Sequence, residues 1–397
     1  MSTLPPNEPR TIEPSSHPTT EKSVRAVGVM MLVFAALLLF CGACSAICFL
    51  INPIASARAD ALQSNVVFGS LAGLGILLGG ALLWQGARAY QGRASRAPAH
   101  AFPRVFIFAL AFVGAILLGI GTLGLGSFAA YIFPPWHFIA ALAAPLAIIA
   151  YAAHRLGRAS ELRTLLASFT WGVLGATTLA FIGELIVLVG LIFIAAIFLA
   201  ISFPNFSAVD QLRLLGLRGA ADANFASNPL VVIGFIIYFG GIVPPIEEAL
   251  KVLVVAFSNP KRTRQADAVL WGISAGAGFA VLENLFNGAL SLGDWATVTI
   301  IRVGATIMHA ANGATMGEAW HAARVEGRWM HLGGAYVASV FFHAAWNVAA
   351  ILGSNAVGGG ALVQAIALIV LSGLGAAWLA RRVGIAERLA RSAPASE

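Results

Sequence analysis

Apolar runs recur along the chain at about 26 to 51, 66 to 87, 105 to 127, 136 to 154, 167 to 201, 230 to 257, 267 to 288, 299 to 321, 333 to 352 and 357 to 380. Each approaches or exceeds the roughly 20 residues that a helix needs to cross the hydrocarbon of a bilayer. Short polar connections separate them. The pattern predicts an all-α, polytopic transmembrane helix bundle of about ten spans. Two places strain the scheme: the run at 167 to 201 is long enough for one tilted helix with an extension, and Pro134, Pro135 and Trp136 leave a tight outer turn at 128 to 136.

Charge supports the count. Basic residues concentrate in alternate connections, as the positive-inside rule requires. With the N-terminus in the cytoplasm, the inside segments carry Arg10, Lys22 and Arg25; Arg88, Arg93, Arg96 and Arg104; Arg155, Arg158 and Arg163; Lys261, Arg262 and Arg264; Arg324 and Arg328; and Arg381, Arg382, Arg388 and Arg391. Outside lie Arg58, Arg213, Arg218 and Arg302, and Lys251 falls in the membrane. A miscount by one span would destroy the alternation, so both termini are expected on the cytoplasmic side of the cell membrane. The composition agrees: 59% of the residues are hydrophobic and 10% are charged, against about 25% charged in soluble domains. The net charge of +7 is spread between the spans and forms no basic face, which argues against nucleic acid as a partner. Cys41, Cys44 and Cys48 share one face of the first run and read as packing residues.

Most spans hold almost nothing ionisable; the sixth to ninth depart from this. They contain Glu247, Glu248 and Lys251, then Glu283 with Asn284, then His309 with Asn312, then His343 with Asn347. A charge at bilayer depth costs about 2.5 kcal/mol or more unless it is paired. Four consecutive spans with such groups therefore predict one shared polar pocket. Glu247 and Lys251 lie four residues apart on one helix face, as do His343 and Asn347. Pro244 and Pro245 predict a kink or interruption just before the glutamates, with Glu247 and Glu248 in the first turn of the inner half. The pairs Gly272 with Gly276 and Gly313 with Gly317 predict close approach of the seventh and eighth helices. Glu184, in the fifth run, either lines the same pocket or pairs with a neighbouring helix. His321 and His331 are expected at the solvated inner interface.

Carboxylates with two histidines suit hydrolysis by either of two routes. In one, His309, His343 and Glu283 hold a zinc ion and Glu247 or Glu248 is the general base. In the other, a glutamate and a histidine activate water without a metal, and a His/Asn pair donates to the oxyanion. Midplane acids and broken helices also mark ion- or proton-coupled transporters, and interhelical hydrogen bonding alone would make a scaffold. No HExxH helix is present.

The segment EEALK at Glu247 to Lys251 resembles the EExxK motif of the PrsW family of intramembrane metalloproteases, and FAVLEN at Phe279 to Asn284 resembles its FxxxEN motif. His309, and HAAWN at His343 to Asn347, are similar to its histidine motifs, in the same order and one per helix. The resemblance implies a multi-pass protease, distantly related to the CAAX-processing enzymes. Glu247 and Glu248 would be its catalytic pair, Glu283, His309 and His343 would complete the site, and Asn347 would support it. The implied partner is a membrane-anchored protein substrate in the lipid bilayer; cleavage of an anti-sigma factor is a founding role in the family. The expected organisation is a disordered tail at 1–25, a five-span region at 26–203, an outer loop at 204–229, a four-span catalytic core at 230–352, a last span at 353–380 and a cytoplasmic tail at 381–397.

Overall fold

A computed structural model describes residues 18–55, 60–93, 98–157, 160–202, 207, 229–260, 263–354 and 359–392. The tail at 1–17 and all but two residues of the outer loop expected at 204–229 lie outside the described residues. The described chain is helical, with one isolated β-bridge between Pro98 and Glu161. We number the helices α1 (Pro18–Ala55), α2 (Asp60–Tyr90), α3 (Val105–Leu123), α4 (Ala129–Leu156), α5 (Leu162–Ser202), α6 (Val231–Ala256), α7 (Gln265–Leu290), α8 (Trp295–Glu326), α9 (Trp329–Ser354) and α10 (Gly359–Ser392).

Each apolar run thus falls on one helix, and among the described residues nine helices are long and apolar enough to cross a membrane. The other, α8, has 32 residues, a length of about 48 Å. It is less apolar because it carries Arg302, His309, Asn312 and Glu318. The fifth run is one continuous helix, as its length suggested, and it widens into a π-helical segment at Trp171–Ala176. Its first half is buried against α7, while the side chains beyond Phe181 are mostly exposed at the bundle surface.

Sequence expectations are corrected at the start of α4 and at His321. Helix α4 begins at Ala129, so Pro134 and Pro135 lie inside its first two turns, and the preceding turn contains Gly126 in the left-handed region (φ +61°). A proline at 134 cannot donate to the carbonyl of Ala130; Asn65 of α2, fully buried, donates to it instead at 3.0 Å. The basic segment after residue 380 continues α10 without a break to Ser392. Arg382 there bonds Glu318 of α8 at 2.6 Å, and Glu387 bonds Arg155 of α4. His321, expected to be solvated, is half-buried, and its Nε2 pairs with the Thr263 carbonyl at 3.0 Å.

The interruption foreseen in α6 is a widening rather than a break. A π-helical segment spans Ile236–Ile242, α-helix resumes at Val243, and Glu247 and Glu248 fall in the second turn after it. In the π register the carbonyl of Phe239 would meet the nitrogen of Pro244, which has no hydrogen. The side-chain amide of Asn347 on α9 donates to that carbonyl at 2.8 Å. The Tyr336 hydroxyl, on the same face of α9, donates to the Pro245 carbonyl at 2.9 Å.

Helix α7 is the most enclosed of the bundle and packs against α8, α4, α5 and α10. The α7/α8 contact is backbone to backbone at the expected glycines. A Cβ built on Gly276 would fall 2.2 Å from the His309 carbonyl oxygen, and one on Gly272 would fall 2.0 Å from that of Gly313. We expect Gly276→Val to force the helices apart and cost about 1–3 kcal/mol, read as a lower thermal midpoint in detergent. Gly114→Ala, where an added Cβ meets nothing within 4 Å, should leave that midpoint unchanged or higher.

Candidate active site

Side chains from α6, α7, α8 and α9 meet at one buried point. Glu247, Glu248, Lys251, His309 and His343 are each 4% exposed or less. Lys251 lies at the centre. Its Nζ donates to Glu247 Oε2 at 2.9 Å, to Glu248 Oε1 at 2.8 Å and to His309 Nδ1 at 2.8 Å. Phe279, the first residue of FAVLEN, closes the remaining side with its ring centroid 4.1 Å from Nζ. Two carboxylates and one aromatic face thus replace the hydration shell of the ammonium.

These contacts set the histidine tautomers. An ammonium has no lone pair, so His309 Nδ1 is the acceptor and Nε2 carries the proton. That proton is donated to Glu283 Oε2, 2.7 Å away. His343 Nδ1 donates to Glu248 Oε1 at 2.8 Å, which leaves Nε2 facing Glu247 Oε2 at 3.7 Å. The two rings stand edge to face with centroids 4.9 Å apart. His343 thus turns a lone pair toward Glu247, while that of His309 is engaged by Lys251.

Among the described residues, Glu247, His309 and His343 form a group whose ligand atoms lie within 4.8 Å of one another. Glu283 lies behind His309, where it also accepts from Arg302 at 2.5 Å. Asn284 is engaged on three sides. It donates to the Ala141 carbonyl and to Thr306 Oγ1, and accepts from Arg302 Nε at 2.9 Å. Asn312 bridges to the Ser339 carbonyl of α9 at 3.0 Å, and Asn347 is committed to α6 as described.

Two members escaped the sequence reading or were left open by it. Glu184 lies where α5 packs against the Val243–Lys251 segment of α6, beside Gly183, where an added Cβ would fall 3.4 Å from Ile246, and its Oε1 is buried without a hydrogen-bond partner; it is the one acidic residue of its apolar run. Arg302 was counted outside because it lies near a span end. Its position seven residues before His309, two turns along the same helix face, was the available signal. The GxSxG spacing at Gly272 to Gly276 forms no nucleophile elbow. Ser274 there is fully buried within α7, and its hydroxyl donates to the Leu165 carbonyl at 3.0 Å. It is not presented on a strand-to-helix turn, so it is no serine nucleophile. Cys41, Cys44 and Cys48 are exposed on the surface of α1.

No curated relative and no solved structure matches the chain. A family model, PrsW family intramembrane metalloprotease, matches residues 160–374. That stretch opens just before α5 and includes every residue of the buried cluster. A match over more than half of the chain, laid on a multi-pass helical bundle with a buried Glu/His centre, decides between protease, carrier and scaffold: the chain belongs to the PrsW family of intramembrane metalloproteases.

Proposed function

We propose that this protease hydrolyses peptide bonds of a membrane-anchored protein substrate, with zinc held by Glu247, His309 and His343 and with Glu248 as general base. One observation carries the reading: a carboxylate and two imidazoles from three helices converge within 4.8 Å at a buried point. Two histidines and a glutamate are a donor set of catalytic zinc sites that keep a fourth position for water. The lone pair that His343 Nε2 turns toward Glu247 supports it, and His309 Nδ1 would become available to the metal once Lys251 Nζ gives up its bond there. Glu283, expected as a ligand, fits better behind His309, since carboxylates commonly orient metal-bound imidazoles through the distal nitrogen. Zinc held there would polarise the scissile carbonyl and lower the pKa of a bound water to about 7.

The protein's own groups do the rest. Glu248 Oε2 is buried without a hydrogen-bond partner, so it is free to take a proton from the attacking water. The water oxygen bonds to the carbonyl carbon, and the Lys251 ammonium faces the developing oxyanion. As the carbon–nitrogen bond breaks, Glu248 passes its proton to the leaving amine. Asn347 serves by holding α6 at Phe239 rather than by donating to the oxyanion. The position of the site among membrane-spanning helices supports a substrate held in the same bilayer.

Metal analysis of purified protein should give about one zinc ion per chain, lost in Glu247→Ala, His309→Ala and His343→Ala. A folded, active wild type without metal would sink this ligand assignment. Glu248→Gln separates base from ligand: it should keep the metal while lowering kcat on a transmembrane reporter substrate by about 10²- to 10⁴-fold. Lys251→Met leaves two buried carboxylates without their cation and should cost about 3–5 kcal/mol of stability, measured by thermal unfolding. Adding Glu248→Gln to that variant should restore part of the loss.

A further inference from the structure

Arg302 does not belong to the four motifs, yet it reaches both polar residues of the FxxxEN segment at once. Its Nη2 donates to Glu283 Oε2 at 2.5 Å and its Nε to Asn284 Oδ1 at 2.9 Å. The same oxygen of Glu283 accepts from His309 Nε2 at 2.7 Å. Thr306 closes the circuit by donating to the Arg302 carbonyl at 2.8 Å and accepting from Asn284 at 3.1 Å. The Arg302 and Glu283 side chains are 14% and 24% exposed, so the pair is largely shielded.

From this geometry we propose that Arg302 is a positioning residue of the active site: it fixes the Glu283 carboxylate, and Glu283 in turn fixes the tautomer and ring plane of His309. The inference rests on the site reading above and assigns a role to a residue outside it. A carboxylate at this depth with only a neutral imidazole donor would carry an unbalanced charge, and its rotation would turn the ring with it. A planar guanidinium holds Glu283 and Asn284 in one fork; a lysine ammonium is a point donor and cannot span both in the same way. The alternative is a salt bridge that merely ties α7 to α8, which would affect stability and leave the properties of His309 unchanged.

The test compares wild type with Arg302→Gln, Arg302→Lys and the double variant Glu283→Gln/Arg302→Gln, which removes the unpaired buried charge that threatens folding of the single variant. Apparent zinc affinity is measured by chelator competition in detergent, next to the thermal midpoint and to kcat and KM on a transmembrane reporter. We expect zinc affinity to fall about 10- to 100-fold in the glutamine variants, with kcat lowered, KM little changed and partial recovery in Arg302→Lys. Affinity and kcat within twofold of wild type in the folded double variant would overturn the proposal while the metal assignment stands. If the wild type cleaves without binding zinc, the ligand assignment fails and the proposal is judged on kcat: loss in the double variant with rescue by lysine upholds it, and unchanged kcat overturns it. A wild type that neither binds zinc nor cleaves the reporter would overturn both.

Discussion

A lysine ammonium 1% exposed inside a membrane bundle is the constraint around which the rest is arranged. Lipid offers it nothing, so every partner must come from the protein. Glu247 and Glu248 supply the charge, His309 a neutral acceptor and Phe279 a π face. Those partners sit on α6, α7 and α8, and His343 of α9 joins through Glu248. Four helices are therefore bound into one unit by groups that would be destabilising singly. The arrangement that makes the charges tolerable also concentrates acid, base and imidazole at one point, so the cost of burial and the capacity for hydrolysis have the same origin.

Backbone contacts between α7 and α8 set the precision of that unit. Gly276 lies directly against the carbonyl of His309, so the height and tilt of that histidine follow from how closely two backbones can approach. On the other side, α9 grips α6 through Tyr336, His343 and Asn347, all on one helix face. Two of these three bonds go to carbonyls of the proline-interrupted segment. The irregularity that Pro244 and Pro245 introduce is thus compensated by a partner helix, and the glutamates that follow inherit a fixed position.

Much of this was legible in the sequence because hydrophobic length and rare intramembrane charge are strong signals. The helices fall on the ten apolar runs, and Glu247, Glu248, Lys251, His309 and His343 come together as their isolation in lipid required. What stayed hidden depended on side-chain partners across helices. Arg302 lies close enough to a span end to pass for a loop charge, and only its hydrogen bonds to Glu283 and Asn284 give its depth. The start of α4 was misplaced because Pro134 and Pro135 read as a turn; Asn65, on another helix, is what makes a helical Pro134 tolerable. Glu283 could be recognised as part of the site, but one-dimensional spacing could not tell a residue facing the lysine from one standing behind a histidine.

The π-helical segment at Ile236–Ile242 also fixes the angular phase of α6. A widened turn accommodates one residue more than an α-helical turn does, so the part of the helix before it is rotated by about 100° from the face that an unbroken α-helix would present. Glu247 and Glu248 point into the bundle while Phe235, Ile237 and Phe239 are exposed at its surface. One inserted residue thus lets a single helix turn a charged face inward at one depth and an oily face outward at another.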